Sequence, residues 1–201
     1  MFKNSNDVPG WGDATMLFAD IIPTLPSNAR LLEIGCGIGR STWAILDNMS
    51  PGMSLSILDS FEYNNDQSYI WNELVRCGGI KNLTDQPHPL QELITKNSQY
   101  EIFLSIIQNH PNFKFIENIH LMSSMSYMQR ELPDQYDFIF IDGDHEYSTV
   151  VHELDYFKNS KIISGDDYAN TECPGVAKAV DEFVIEHNRN LVLINGDFLI
   201  D

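Results

Sequence analysis

The chain has 201 residues, 43% hydrophobic and 20% charged, a balance that suits one globular domain over residues 1–201 and excludes a disordered chain. A formal net charge of −17 at pH 7, with no cluster of Lys and Arg, sets it against phosphate backbones and anionic membranes, so neither nucleic acid nor membrane is an expected partner. No apolar run reaches the length of a membrane span, no secretory signal is expected, and Cys36, Cys77 and Cys173 form no CxxC pair, which points to reduced thiols in the cytoplasm.

In chain order, "ATMLFADIIPTL" predicts a short helix and "ARLLEIG" a buried strand that stops at glycine. "RSTWAILDNM" follows as a helix, and "MSLSILDS" as a second strand after the Pro51-Gly52 turn. The polar stretch at about 62–88 is longer than an ordinary connection and carries Gly78-Gly79 and Pro87-His88-Pro89. It reads as an insertion with one helix near Tyr69 to Arg76. "PLQELITKNSQYEIFLSIIQNH" is helical, "FKFIENI" a third strand, and "YDFIFIDG" a strand apolar on both faces. "EYSTVVHELDYF" has helical spacing and "SKIISGDD" is another strand. "GVAKAVDEFVIEHN" places Val176, Val180, Phe183 and Val184 on one helix face. "LVLINGDFLI" is a hairpin turning at Asn195-Gly196. The alternation predicts an α/β fold: a seven-stranded, mostly parallel sheet with helices on both faces and a C-terminal antiparallel hairpin.

The stretch "LLEIGCGIGRST" puts Gly35, Gly37 and Gly39 where the first strand turns into a helix. In such sheets ligands bind beyond the carboxyl ends of the strands, and bare backbone there allows close approach. A dinucleotide fingerprint would need glycine at position 40, which is arginine, and the Gly-Lys-Ser/Thr of a P-loop is missing. The acidic-x-Gly-x-Gly-x-Gly pattern begun by Glu33 resembles the first motif of class I S-adenosylmethionine-dependent methyltransferases. That resemblance implies a Rossmann-like methyltransferase fold, with the glycine loop against the methionine and ribose of the cofactor and Glu33 near its ammonium, directly or through water. Asp59, 20 residues after Gly39 at the end of the second strand, suits the ribose hydroxyls. "LDSFE", which includes Ser60, looks like the matching stretch of macrocin-type O-methyltransferases, which likewise follow it with an insertion. In "HLMSSMSY", Ser123 and Ser124 fall where the class contacts adenine, although its usual aspartate is missing. A serine-rich helix start explains them equally well.

"FIFIDGDHEY" and "IISGDDY" each follow a buried strand, so Asp142, Asp166 and Asp167 are expected at one sheet edge. Three close carboxylates need protons or a cation, and oxygen-only donors favour a hard ion such as Mg²⁺. The arrangement resembles catechol-type and macrocin-type O-methyltransferases, in which such aspartates hold a divalent metal that positions the acceptor. His145, three residues beyond Asp142, matches the general base of that group and has an ordinary pKa near neutrality. The other histidines have no comparable setting.

These features imply methyl transfer from S-adenosylmethionine to a hydroxyl of a small molecule, with His145 and Asp142 catalytic. Two alternatives stay open. Asp142-Gly-Asp144 is a DxD sequence of the kind glycosyltransferases use, and a non-catalytic cofactor-binding module would show the same glycine loop. The insertion, with Tyr63, Tyr69 and Trp71, is either a substrate lid or a packed surface excursion.

Overall fold

The computed structural model describes residues 2–10, 15–62, 67–76, 89–129 and 135–201. Helix α1 (Thr15–Ile21) passes into a 3-10 turn at Ile22–Thr24, which carries Pro23 in its first turn. Then come β1 (Arg30–Ile34), α2 (Arg40–Asn48), β2 (Ser54–Asp59), α3 (Gln67–Arg76), α4 (Pro89–Lys96) and α5 (Gln99–Ile107). The second half runs β3 (Ile116–Leu121), α6 (Ser124–Tyr127), β4 (Phe138–Ile141), α7 (Tyr147–Tyr156), β5 (Ile162–Gly165), α8 (Pro174–His187), β6 (Leu191–Ile194) and β7 (Asp197–Ile200).

The strands make one sheet in the order β3-β2-β1-β4-β5-β7-β6. From β3 to β5 all pairs are parallel, and β7 runs antiparallel to both of its neighbours. Asn195 and Gly196 both take positive φ, 54° and 103°, which gives the hairpin turn the twist its strands need. Between β1 and β4 the winding reverses, and loops leaving the carboxyl ends of the strands diverge there.

Alternation along each strand supplies both faces. Leu31, Leu55, Ile57, Phe138 and Phe140 pack on one side with Phe18, Trp43 and Phe103. Leu32, Ile34, Ile139, Ile141 and Ile163 pack on the other with Leu154, Val180 and Phe183. Helices cover both faces, which is why the central strands read as unbroken apolar runs.

Two sequence expectations are corrected here. The third strand is Ile116–Leu121, and Phe113–Phe115 is a 3-10 turn. The amides of Phe113 and Phe115 donate to His110 and Asn112 carbonyls, which removes them from the ladder. The long helical run after Pro89 is two helices. Ser98 caps the second through a reciprocal capping box with Glu101, a device worth about 1 kcal/mol.

The described part of the expected insertion, α3, buries Ile70, Trp71 and Leu74 in the first core. Tyr63, Gly78-Gly79, Pro87 and His88 lie outside the described residues, as does the side chain of Tyr69. Among the described residues no helix is long and apolar enough to cross a membrane, and Cys36 and Cys173 are unpaired.

Candidate active site

The carboxyl ends of β1 to β5 surround a cavity of about 900 Å³. Its walls carry Gly35, Gly37, Asp59, Ser60, Ser123, Ser124, Asp142, His145, Asp166 and Asp167, so ten of the sequence-predicted site residues meet in one place. Glu33 and Gly39 do not reach it.

The three glycines serve different ends. A Cβ on Gly35 would run into the backbone of Asp142 and Gly143, so this position is bare in order that β1 and β4 can close on each other. A Cβ on Gly39 would lie 2.9 Å from Ile107 Cγ1 and 3.1 Å from a ring carbon of Phe103, so Gly39 lets α2 sit on α5. Gly37 lines the cavity with φ 55°, a left-handed conformation that favours glycine.

Asp59 organises this loop. Its Oδ2 accepts from the Cys36 amide at 2.9 Å and the Gly37 amide at 3.1 Å, and its Oδ1 accepts from the Phe61 amide at 2.6 Å. Oδ2 is thereby filled, and Oδ1 keeps one lone pair for a ligand hydroxyl. Glu33 is fully buried, accepts from the Thr42 hydroxyl at 2.6 Å, and leaves Oε1 without a partner. Burial pushes its carboxyl up from 4.5 to about 8. Glu33 is not among the residues lining the cavity, whereas Ser41 beside it is.

Ser123 is the N-cap of α6, accepting from the Ser126 amide at 3.2 Å. The helix-start reading of this serine pair therefore holds in the structure, and both serines also line the cavity.

At the other end, His145 stands between two carboxylates. Its Nδ1 lies 2.9 Å from Asp167 Oδ2, and its Nε2 lies 3.6 Å from Asp142 Oδ1, an ion-pair distance too long for a hydrogen bond. Asp142 and Asp167 raise its pKa from 6.5 to about 11, so near neutrality it is an imidazolium. Asp142 loses water by facing the cavity bottom and is pushed up to about 7, against the pull of His145. Asp167 is lowered, mainly by His145. The cation that relieves the repulsion among these acids is therefore His145 itself. The carboxylate raised toward neutrality is Asp142.

Asp142, Asp166 and Asp167, the expected magnesium set, all line the cavity. Asp166 Oδ1 accepts from the Asp167 amide at 2.7 Å, and Asp167 is engaged by His145 and by Asn170 at 2.8 Å. Among the described residues, the trio whose donor atoms lie within 4.8 Å of one another is His145, Asp167 and Cys173. Asp144 accepts from the Glu146 amide and the Thr149 hydroxyl, which ties it to the start of α7.

Several residues escaped the sequence reading. Cys173 was visible there only as an unpaired thiol. Asn170 sits in the loop after β5, a stretch without periodicity. Arg40 donates to the Gly10 carbonyl at 3.1 Å and pins the N-terminal segment over the cavity, a contact between residues too far apart in the chain for any motif. Glu153 is a buried carboxyl of α7 beside Ser124 and Asp144, raised to about 7 by burial; its signal was an acid on the apolar side of a helix.

No protein-family model matches the chain, and no curated protein matches it. Among solved structures, the O-methyltransferase NovP is similar at 17% identity and a TM-score of 0.55, over 93% of this chain and 78% of that one. An O-methyltransferase from Bacillus cereus, in complex with SAH, is similar at 15% identity and 0.56, over 100% and 91%. The O-methyltransferase TomG from Streptomyces achromogenes, in complex with SAM, gives 11% identity and 0.54, over 96% and 81%. These likenesses show the fold: a seven-stranded Rossmann-like sheet with a C-terminal antiparallel hairpin, shared with S-adenosylmethionine-dependent O-methyltransferases.

Proposed function

We propose that the chain is an S-adenosylmethionine-dependent O-methyltransferase acting on a hydroxyl of a small molecule. One observation carries this reading. A single cavity is lined by Gly37, whose amide is held by Asp59, and by the Asp142–His145–Asp167 unit. The names of the structural neighbours support it.

When bound, the cofactor supplies a methyl group activated by a sulfonium. Gly37, the free lone pair of Asp59, and the hydroxyls of Ser60, Ser123 and Ser124 would hold it, with Gly35 shaping the loop. The acceptor hydroxyl that takes this methyl group would give up its proton to Asp142. His145 keeps the positive charge beside that carboxylate and favours its ionised form, with Asp167 holding the ring in place. Alignment inside the cavity supplies much of the acceleration. No step is assigned to magnesium.

The stretch at 62–88 is proposed as the acceptor's lid; its described residues Glu62 and Arg76 line the cavity. The reading includes a cytoplasmic setting with neither nucleic acid nor membrane as partner. Asp144, committed to the start of α7, weighs against a DxD glycosyltransferase. A cofactor-binding module would not need the Asp142–His145–Asp167 unit.

The test is calorimetric titration with S-adenosylhomocysteine and with a uridine diphosphate sugar. It is followed by transfer of labelled methyl to a panel of sugar, catechol and polyketide hydroxyls. Binding of the first ligand with labelled product supports the proposal. Binding of the sugar nucleotide alone, or of S-adenosylhomocysteine with no product from any acceptor, contradicts it.

A further inference from the structure

We propose that His145, Asp167 and Cys173 form a site for a first-row transition ion of the Zn²⁺ type, at the acceptor end of the cavity. Their nitrogen, oxygen and sulfur donors lie within 4.8 Å of one another. Nδ1 of His145 is 2.9 Å from Asp167 Oδ2 and 3.4 Å from Cys173 Sγ. With metal–nitrogen and metal–oxygen bonds of about 2.0 Å and a metal–sulfur bond of about 2.3 Å, a tetrahedral site has corresponding edges of about 3.3 and 3.5 Å. The observed edges fall short by only a few tenths of an ångström, so small side-chain rotations seat the ion.

The backbone brings these donors together from three places. His145 precedes α7, Asp167 follows β5 in a left-handed conformation at φ 65°, and Cys173 is the N-cap of α8. Gly175 permits the approach: a Cβ there would lie 2.7 Å from the Tyr147 amide nitrogen and 3.0 Å from the His145 carbonyl oxygen. Asn170 donates to Asp167 Oδ1 at 2.8 Å and lies 3.7 Å from Cys173 Sγ, so one amide orients two of the three donors, as supporting groups do around metal centres. Sulfur and imidazole donors select a borderline-soft ion over magnesium. Three protein donors leave a fourth position for water or an acceptor heteroatom, and His145 and Asp167 both face the cavity. The site is independent of cofactor binding at Gly37 and Asp59; an ion at His145 Nδ1 takes the place of the proton there, so in the loaded site the ion supplies the positive charge beside Asp142.

The test titrates the full chain, stripped of metal and kept reduced, with Co²⁺ while absorbance is recorded. One ion per chain and a thiolate-to-cobalt charge-transfer band are expected. The band should be lost in Cys173→Ser, kept in Cys77→Ser, and appear only at cobalt concentrations at least tenfold higher in Asp167→Asn. Serine is a good N-cap, so Cys173→Ser should keep its fold, which circular dichroism checks. Absence of the band, its survival in Cys173→Ser, or its loss in Cys77→Ser overturns the proposal. S-adenosylhomocysteine titrated into the same samples separates the two readings. Its binding without a cobalt band sinks only the metal site, and a cobalt band without its binding sinks only the methyltransferase.

Discussion

His145 Nδ1 lies 2.9 Å from Asp167 Oδ2, and this contact ties the loop after β4 to the loop after β5 across one end of the cavity. The sheet holds only the first residue of each loop, through the Asp142 amide on the Ile34 carbonyl and the Asp166 amide on the Ile141 carbonyl. The pair fixes where the acidic end faces, and it places a positive ring 3.6 Å from Asp142.

Asp142, raised to about 7, should set the acidic limb of the pH–rate profile. Methyl transfer requires the ionised carboxylate, so the rate should rise with pH through about 7. Removing the neighbouring cation in His145→Gln should move this limb to higher pH, and Asp142→Asn should lower turnover by roughly 10²–10⁴-fold. S-adenosylhomocysteine affinity should be unchanged in both variants. An unshifted limb in His145→Gln would remove His145 from the proton-accepting unit.

Gly35 and Gly37 should respond differently to side chains. Gly35→Ala pushes on the backbone of Asp142 and should cost about 2 kcal/mol or more of stability, read by urea unfolding. Gly37→Val puts a β-branched residue at φ 55° and should cost about 1–3 kcal/mol of stability while weakening S-adenosylhomocysteine at least tenfold. Equal affinity in Gly37→Val would show that this backbone does not meet the ligand.

The central strands and the hairpin were legible because their signals are local. Phe138–Ile141 is an unbroken apolar run, and Asn195-Gly196 is a turn by its own chemistry. The third strand was misplaced because it is an edge strand, half exposed, with Glu117, Asn118 and His120 interrupting any pattern. At the site, the meeting of Asp59, Asp142, His145 and Asp167 followed from their places at strand ends. What each does with its lone pairs did not. Asp59 holds the loop's amides, Asp166 folds onto its neighbour's amide, and His145 carries a proton, all results of three-dimensional neighbours. Cys173 joins His145 only because Gly175 lets α8 start against it.

Glu33 offers a test by stability. The folded chain keeps its proton up to about pH 8, whereas the unfolded chain releases it near 4.5. Between those values the folded state binds more protons, so its stability falls as pH rises, by roughly 1 kcal/mol per pH unit at the steepest. Glu33→Gln removes this slope. The midpoint of thermal unfolding should therefore fall more steeply from about pH 5 to about pH 8 in the natural chain than in the variant. Parallel curves would contradict the buried, protonated Glu33.

Asp59→Asn puts an amide where Oδ1 or Oδ2 now accepts from Cys36, Gly37 and Phe61. At least one acceptor is replaced by a donor facing a donor, at about 1–3 kcal/mol. Unfolding midpoint and S-adenosylhomocysteine affinity should drop together. A loss of affinity at full stability would show that Asp59 serves the ligand and not the loop.

The most direct measurement is a crystal structure of the chain grown with S-adenosylhomocysteine. The account predicts its ribose beside Asp59, its backbone-facing edge on Gly37, and its sulfur turned toward the end of the cavity that holds Asp142 and His145. A ligand seated elsewhere, or a cavity left without one at saturating concentration, would contradict it.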